Sequence, residues 1–185
     1  EWLLDEVKKE VLKIVKTSGE IKSKEKEKTA EKISIAAAKF AFLKNGINKD
    51  IAFDINESVS LNGNSGPYLL YTYARIRSII RKGRGTRDKG QGRKHTSINN
   101  DEKQMLLQLA LFPEVMQAAA EKYDPSIIAK YLFELAQSFN DYYHRVPVLK
   151  AAVAERDFRL ALISAIALVL QKGVELLGFE MVERM

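Results

Sequence analysis

The chain has 185 residues, and its 30 lysine and arginine residues outnumber its 24 aspartate and glutamate residues, for a formal net charge of +6. A hydrophobic share of 46% is enough to build one sizeable core, which excludes general disorder. The absence of cysteine excludes disulfides, a thiolate nucleophile and sulfur-bound zinc. The most apolar stretch, residues 160–170, is shorter than the roughly 20 residues that a membrane span needs, so we expect no membrane partner.

The first residue is Glu1, and the stretch that follows lacks the cationic start, apolar middle and cleavage site of a secretory signal. We interpret the chain as a fragment of a longer protein. Any function inferred from it therefore concerns one part of a larger molecule.

Positive charge is concentrated between residues 75 and 94. This segment contains nine lysine and arginine residues and one acid, a balance of +8, so the rest of the chain sums to −2. Such asymmetry indicates an anionic partner. Glycines at 83, 85, 90 and 92 predict that the helix before them breaks into a flexible cationic loop.

Apolar residues recur with helical spacing along most of the chain, which predicts an all-α fold. The first helix should extend from about Leu3 toward Gly19. The charged run 20–32 fits an exposed helix or a mobile link. A second helix, about Thr29 to Lys44, is predicted to end with Asn45-Gly46 in a left-handed cap.

Residues 47–66 are rich in Asn, Asp, Ser and Gly, which indicates a structured loop. Pro67 is suited to open the next helix, which should run to about Lys82. Asp101 is predicted to cap the helix after the cationic loop, and Pro113 to open another one.

Asp124-Pro125 combines a capping aspartate with a proline, and so predicts the start of a further helix. The last helix, about Asp157 to Leu177, is so apolar that we expect it at the centre of a helical bundle, with Gly178 ending it. Its apolar stripe is too wide for a coiled-coil seam.

Composition and spacing predict no active site. The Gly-x-Gly pairs lack the strand and third glycine of a phosphate-binding fingerprint, and two histidines do not single out a nucleophilic triad. No carboxylate spacing suggests a metal ion. We expect no catalytic residue and no metal site.

The segment 61–76, LNGNSGPYLLYTYARI, resembles the junction in arginyl-tRNA synthetases where the catalytic half passes into the DALR-type anticodon-binding domain. LALFPEV at 109–115, the FN and YY pairs around residue 140, and the ending ERM resemble that family in order and register. The resemblance implies an anticodon-binding helical bundle over 61–185, preceded by a short helical connecting segment over 1–60.

The resemblance also implies a function. The parent enzyme would be a cytoplasmic, monomeric ligase that joins arginine to tRNA(Arg) using ATP with Mg²⁺. The family's two ATP-binding signatures are missing here, so this fragment should need no cofactor and be inactive alone. Its implied role is to hold the anticodon arm, whose unstacked bases and phosphates suit aromatic, amide and cationic side chains.

The residues that the resemblance places at this interface come from three parts of the chain. They are Tyr68, Tyr71 and Arg75 after Pro67, then Asn140, Tyr143 and His144 at a helix end, and finally Met185. Five of them have a structural alternative: Tyr68 and Tyr71 can pack in the core, Arg75 can form a salt bridge to a neighbouring helix, Asn140 can cap or brace its own helix, and His144 can be a surface residue.

A further electrostatic set, Arg81, Arg84, Arg87 and Arg93, is expected to steer RNA without sequence preference, the alternative being a solvated loop. Two other functions stay open at this stage. One is a helical protein-interaction module that does not bind RNA, and the other is the related domain of another synthetase subunit.

Overall fold

The computed structural model describes residues 2–17, 25–84 and 97–185. Within these ranges there are seven helices and no strand, which confirms the predicted all-α class. The helices are α1 (Trp2–Thr17), α2 (Lys26–Leu43), α3 (Ile55–Ser58), α4 (Gly66–Arg84), α5 (Asn100–Lys122), α6 (Ser126–Arg145) and α7 (Val153–Leu176).

One hydrophobic core runs through the bundle. In α1 the buried valines 7, 11 and 15 recur every four residues and so form one stripe facing α2. The core continues through Phe40 of α2, Leu70 of α4, Leu135 of α6 and Ile166 of α7, all fully buried. It therefore crosses the expected boundary between residues 60 and 61.

The expectation that α7 lies at the bundle centre is wrong. This helix packs against α4, α5 and α6 on one side, whereas Ala161, Ser164, Ala165 and Leu168 on the other side are exposed. Three of these four residues are alanine or serine, which are tolerated on a solvent face, and a single exposed leucine such as Leu168 is common on protein surfaces, so a high apolar content did not require burial all round.

Two glycines allow close helix packing. A Cβ atom built on Gly66 would lie 2.2 Å from the carbonyl oxygen of Ala36, so α4 begins directly against the backbone of α2. A Cβ atom built on Gly173 would lie 2.4 Å from the side chain of Leu132, where α7 crosses α6. The Gly66 contact is with backbone atoms, so that position requires the absence of a side chain, whereas a side chain at Gly173 would force Leu132 to shift.

Helix α5 differs from its prediction at its start. Asn99, not Asp101, is the cap, with its Oδ1 accepting from the Glu102 N–H at 2.8 Å. The Glu102 Oε2 accepts from the Asn99 N–H at 3.0 Å in return. This reciprocal capping box needs residues three apart, which Asn99 and Glu102 are.

Pro113 also differs from its prediction, because it lies inside α5 and does not open a new helix. Proline removes one backbone donor, which normally interrupts a helix. The proline ring itself is exposed, and the helix continues past it to Lys122.

Glycines at the predicted ends of three helices behave differently from one another. Asn45-Gly46 do not adopt the left-handed cap, and the Asn45 side chain instead donates to the Ala41 carbonyl at 2.7 Å. Gly83 lies inside α4, buried against Leu149 and Leu160. Gly178 has a φ of 79°, which confirms that it ends the last helix.

The predicted loop 47–66 contains α3, whose start is capped by the Asp54 side chain accepting from the Glu57 N–H at 2.9 Å. The proposed cationic loop falls mostly on residues 85–96, outside the described residues.

Candidate nucleic-acid interface

A pocket of about 250 Å³ opens between α4, the end of α6, the loop after it and the last residue of the chain. We call it the α4–α6 pocket. Residues 71, 75, 78 and 82 follow one face of α4 at spacings of four and three. The lining consists of Tyr71, Ala74, Arg75, Ser78, Ile79, Lys82, Tyr143, Leu149 and Met185.

Arg75 is held in a fixed orientation at this pocket. Its Nη2 donates to the Tyr71 hydroxyl at 2.7 Å, and its Nη1 donates to the Asn140 Oδ1 at 2.8 Å. The guanidinium carbon also lies 4.7 Å from the centre of the Tyr71 ring, within the range of a cation–π contact. The two residues therefore present one preorganised aromatic and cationic unit.

Asn140 lies behind the pocket, with 8% of its surface exposed. Its Nδ2 donates to the Tyr68 hydroxyl and to the Thr72 hydroxyl, both at 2.9 Å, while its Oδ1 accepts from Arg75. Both amide hydrogens are thus used within the protein. These contacts favour a structural role, in which Asn140 joins α6 to α4 and does more than brace its own helix.

Tyr68 is also partly structural. Its ring packs against Phe133 with a centroid distance of 5.6 Å, and it does not line the pocket. Thr72, which joins the same network, was missed by the sequence reasoning. Its position four residues after Tyr68 was the available signal, since such residues share a helix face.

The residues predicted to contact RNA from the end of α6 lie in different environments. Tyr143 lines the pocket and stacks on Phe139 with ring centres 5.9 Å apart. His144 is exposed and is not part of the pocket lining. The three residues predicted at this helix end, Asn140, Tyr143 and His144, are therefore one brace, one lining residue and one surface residue.

The last residues of the chain return to α4. Phe179 and Val182 are buried, and Met185 is partly buried against the core, where it completes the pocket. The Glu183 carboxylate lies 3.1 Å from Arg77 Nε and 3.6 Å from Arg81 Nη1. Burial, and then the neighbouring Glu183, raise the pKa of Tyr73.

The electrostatic set is only partly described. Arg81 lies on α4 and is engaged by Glu183. The Arg84 side chain, Arg87 and Arg93 lie outside the described residues, so their predicted role stays a prediction. Lys82, which lines the pocket, was not singled out from the sequence, because lysines in a basic segment look alike until the helix face is known.

A second polar network supports the pocket from the side. Glu102 is fully buried, and its Oε1 accepts from Tyr142 and from Arg159 Nε, both at 2.9 Å. Arg159 Nη1 donates to the Pro147 carbonyl at 2.9 Å. This bond fixes the loop after α6, which carries Leu149 into the pocket.

The ionisation of Glu102 follows from these contacts. Burial alone would raise its pKa, but hydrogen bonds from the Asn99 N–H, Arg159 and Tyr142 outweigh burial and hold the pKa of Glu102 below its ordinary value. Burial and the adjacent carboxylate raise the pKa of Tyr142. The network therefore keeps a charged carboxylate and a neutral phenol.

The described ranges contain neither a metal-binding cluster nor a membrane-spanning helix. Among residues 2–17, 25–84 and 97–185, no group of three or more histidine and acidic side chains is placed to hold a metal ion. Of the helices that the structure describes, none combines the length and apolar content of a membrane span.

The chain is similar to known proteins along its whole length. Residues 69–185 match the family model described as the DALR anticodon binding domain. The chain is 39% identical over 186 residues to an arginine–tRNA ligase of Ignicoccus hospitalis, covering 100% of this chain and 29% of that protein. It is 38% identical to arginine–tRNA ligase 1 of Bacillus cereus, covering 99% and 32% respectively.

A solved structure gives the same result for the fold. The arginyl-tRNA synthetase of Thermus thermophilus matches with a TM-score of 0.89 at 31% identity, covering 99% of this chain and 32% of that one. The chain thus spans about a third of the length of the relatives it matches, and corresponds to their C-terminal part.

Proposed function

The chain belongs to the DALR anticodon binding domain family, and from this membership we propose that its α4–α6 pocket holds the anticodon arm of a tRNA. The observation that supports this most is the gathering of Tyr71, Arg75, Tyr143 and Met185 around one pocket, although they come from three separate parts of the chain. The specific partner proposed is tRNA(Arg).

The chemistry of the lining suits an anticodon loop. Tyrosine rings can stack on unpaired bases, which contributes about 1–3 kcal/mol per base. Arg75 and Lys82 supply charge for phosphates, and Met185 supplies an apolar surface beside the rings. Asn140 and Tyr68 then act by orienting Arg75 and α6, while His144 is proposed to contact RNA from the adjacent surface.

The parent protein is proposed to be an arginine–tRNA ligase. We infer that it is a cytoplasmic, monomeric enzyme that attaches arginine to tRNA using ATP with Mg²⁺, and that the ATP-binding signatures lie in its remainder. Residues 1–60 are proposed as a connecting segment and 61–185 as the anticodon-binding unit. This chain contributes tRNA binding and no chemical step.

The function is tested by titrating the chain with arginine-accepting and unrelated tRNAs at two salt concentrations. We expect preferential binding of the arginine-accepting tRNA that weakens as salt rises. The variant Arg75→Gln should bind the arginine-accepting tRNA about tenfold more weakly than the wild type, because it loses both a charge and the contact that orients Tyr71.

The matched control is Lys130→Gln, which removes the same charge about 15 Å from Asn140 along α6. Lys130 is exposed and pairs only loosely with Glu134 at 3.9 Å. Its affinity should stay close to that of the wild type. Equal losses for the two variants, or no tRNA binding by the wild type, would contradict the proposal.

The proposal that this chain contributes no chemical step has its own test. The purified chain should show no arginine-dependent ATP–pyrophosphate exchange, because we place adenylate formation elsewhere in the parent. Detectable exchange above a no-enzyme control would overturn that assignment.

A further inference from the structure

We propose that Glu183 is a positioning residue of the RNA interface, holding the last residues of the chain on α4 so that Met185 closes the α4–α6 pocket. The inference rests on the proposed function of that pocket. It concerns an acid that neither lines the pocket nor carries a charge attractive to RNA.

The contacts of Glu183 converge on one helix. Arg77 and Arg81 lie one turn apart on α4, and both guanidinium groups face the Glu183 carboxylate, at 3.1 Å and 3.6 Å. Arg81 Nη1 also lies 3.4 Å from the Glu183 carbonyl oxygen, and the Tyr73 hydroxyl lies 3.4 Å from the carboxylate. Three side chains of α4 therefore contact Glu183, two through its carboxylate alone and Arg81 through both its carboxylate and its backbone carbonyl group.

The rest of the segment is anchored before this point. Lys39 of α2 donates to the Gly178 carbonyl, and Lys32 pairs with Glu180 at 2.5 Å. The apolar anchors Phe179 and Val182 also precede Glu183. Of these polar and apolar attachments, the Glu183 contacts are the nearest in sequence to Met185, which lies two residues further on.

The charge of Glu183 alone predicts that removing it tightens RNA binding, whereas the positioning role predicts weaker binding, so an affinity measurement separates the two. A carboxylate beside an RNA site repels phosphates and also occupies two arginines that phosphates would otherwise attract. If charge were its only influence, removing it would tighten RNA binding. If Glu183 positions Met185, removing it weakens binding.

The test measures tRNA affinity for Glu183→Gln, with Glu134→Gln as the control. Glu134 is an exposed acid on α6 that pairs with Lys130 at 3.9 Å within its own helix. We expect Glu183→Gln to bind about fivefold more weakly, in the range that exposed ion-pair clusters contribute. Glu134→Gln should bind as tightly as the wild type or more tightly.

A double-mutant cycle with Met185→Ala identifies the route of the effect. Because Glu183 is proposed to act through Met185, Glu183→Gln should cause little further loss in the Met185→Ala background. Unchanged or tighter binding by the single variant, or losses that simply add, would overturn the inference.

A readout without RNA separates this inference from the proposed function. In spectra of methyl-labelled methionine, Glu183→Gln should shift the Met185 signal and leave that of Met105, buried in α5, in place. An unmoved Met185 signal overturns the positioning contact. A wild type that binds no tRNA overturns the proposed function and the RNA role of Glu183 together, whereas a binding wild type matched by Glu183→Gln overturns only the inference.

Discussion

Asn140 illustrates how far a residue type predicts a role. A polar amide at a helix end fits either base recognition or bracing, and the choice depends on which neighbours its atoms meet. In the fold it is buried and joined to Tyr68, Thr72 and Arg75 of α4. Tyr71, Arg75 and Met185 could be selected from sequence because their chemistry and the family pattern agree, whereas Thr72 required knowledge of the facing helix.

Replacing Asn140 by leucine tests the bracing role. Leucine has a similar volume but leaves Arg75, Tyr68 and Thr72 without their partner, which should lower the free energy of unfolding by about 1–3 kcal/mol. Urea denaturation would measure the change. Asn64→Leu, at an exposed position, is the control and should stay within about 0.5 kcal/mol of the wild type; an equal loss there would argue against bracing.

Glu102 gives a prediction about pH. Its pKa in the folded chain lies below the ordinary value of 4.5, so its charged form stabilises the fold above pH 4.5. That contribution is lost as the pH falls from 4.5 through the lowered pKa. Glu102→Gln should therefore be less stable than the wild type at neutral pH, and the difference should shrink in acid.

Thermal unfolding at several pH values would measure this convergence. Glu134→Gln, which removes an exposed acid from α6, is the control and should track the wild type throughout. A difference between wild type and Glu102→Gln that stays constant down to strongly acidic pH would contradict the argument.

At the scale of helices, periodicity located most elements, but their ends depended on contacts. The start of α4 was anticipated within one residue from Pro67. The start of α5 was missed by two residues because Asn99 and Asp101 are both good caps by type, and only the Asn99–Glu102 pair closes the capping box. Pro113 was misread because a proline that opens a helix and one that lies inside a helix cannot be told apart from residue type.

The close approach of α2 and α4 predicts that replacing Gly66 by alanine lowers the stability of the chain. Alanine is the better helix former by about 1 kcal/mol, yet Gly66→Ala should destabilise the chain by about 1–3 kcal/mol because its Cβ would overlap the Ala36 carbonyl. Calorimetric or urea unfolding would measure this loss.

The matched control is Gly46→Ala. The nearest atom to a Cβ there is the Asp124 Oδ2 at 3.9 Å, and Gly46 has no positive φ. Its stability should be unchanged or slightly raised. A neutral Gly66→Ala would mean that the two helices do not cross this closely.

At the scale of the whole molecule, a single core joins the two proposed units. Phe40 of the connecting segment and Leu70 of the anticodon-binding unit belong to the same buried cluster. The family pattern could suggest a boundary near residue 60, but it could not reveal whether packing respects that boundary. This information lies in contacts between residues far apart in sequence.

One core predicts one unfolding transition. Scanning calorimetry should give a single peak whose calorimetric enthalpy equals the van't Hoff enthalpy. Two resolved peaks would show that residues 1–60 and 61–185 unfold separately. The core mutation Phe40→Ala should lower the temperature of the whole peak without splitting it, because it removes packing shared by both units.

The left-handed turn at Gly178 has a geometric consequence for evolution and engineering. Six residues separate it from Met185, so a rotation about its backbone bonds would displace the whole segment that follows. A side chain there would be strained by the φ of 79° and would also approach the Lys39 ammonium group to 3.1 Å. The direction in which the segment carrying Met185 leaves the last helix therefore depends on glycine at position 178.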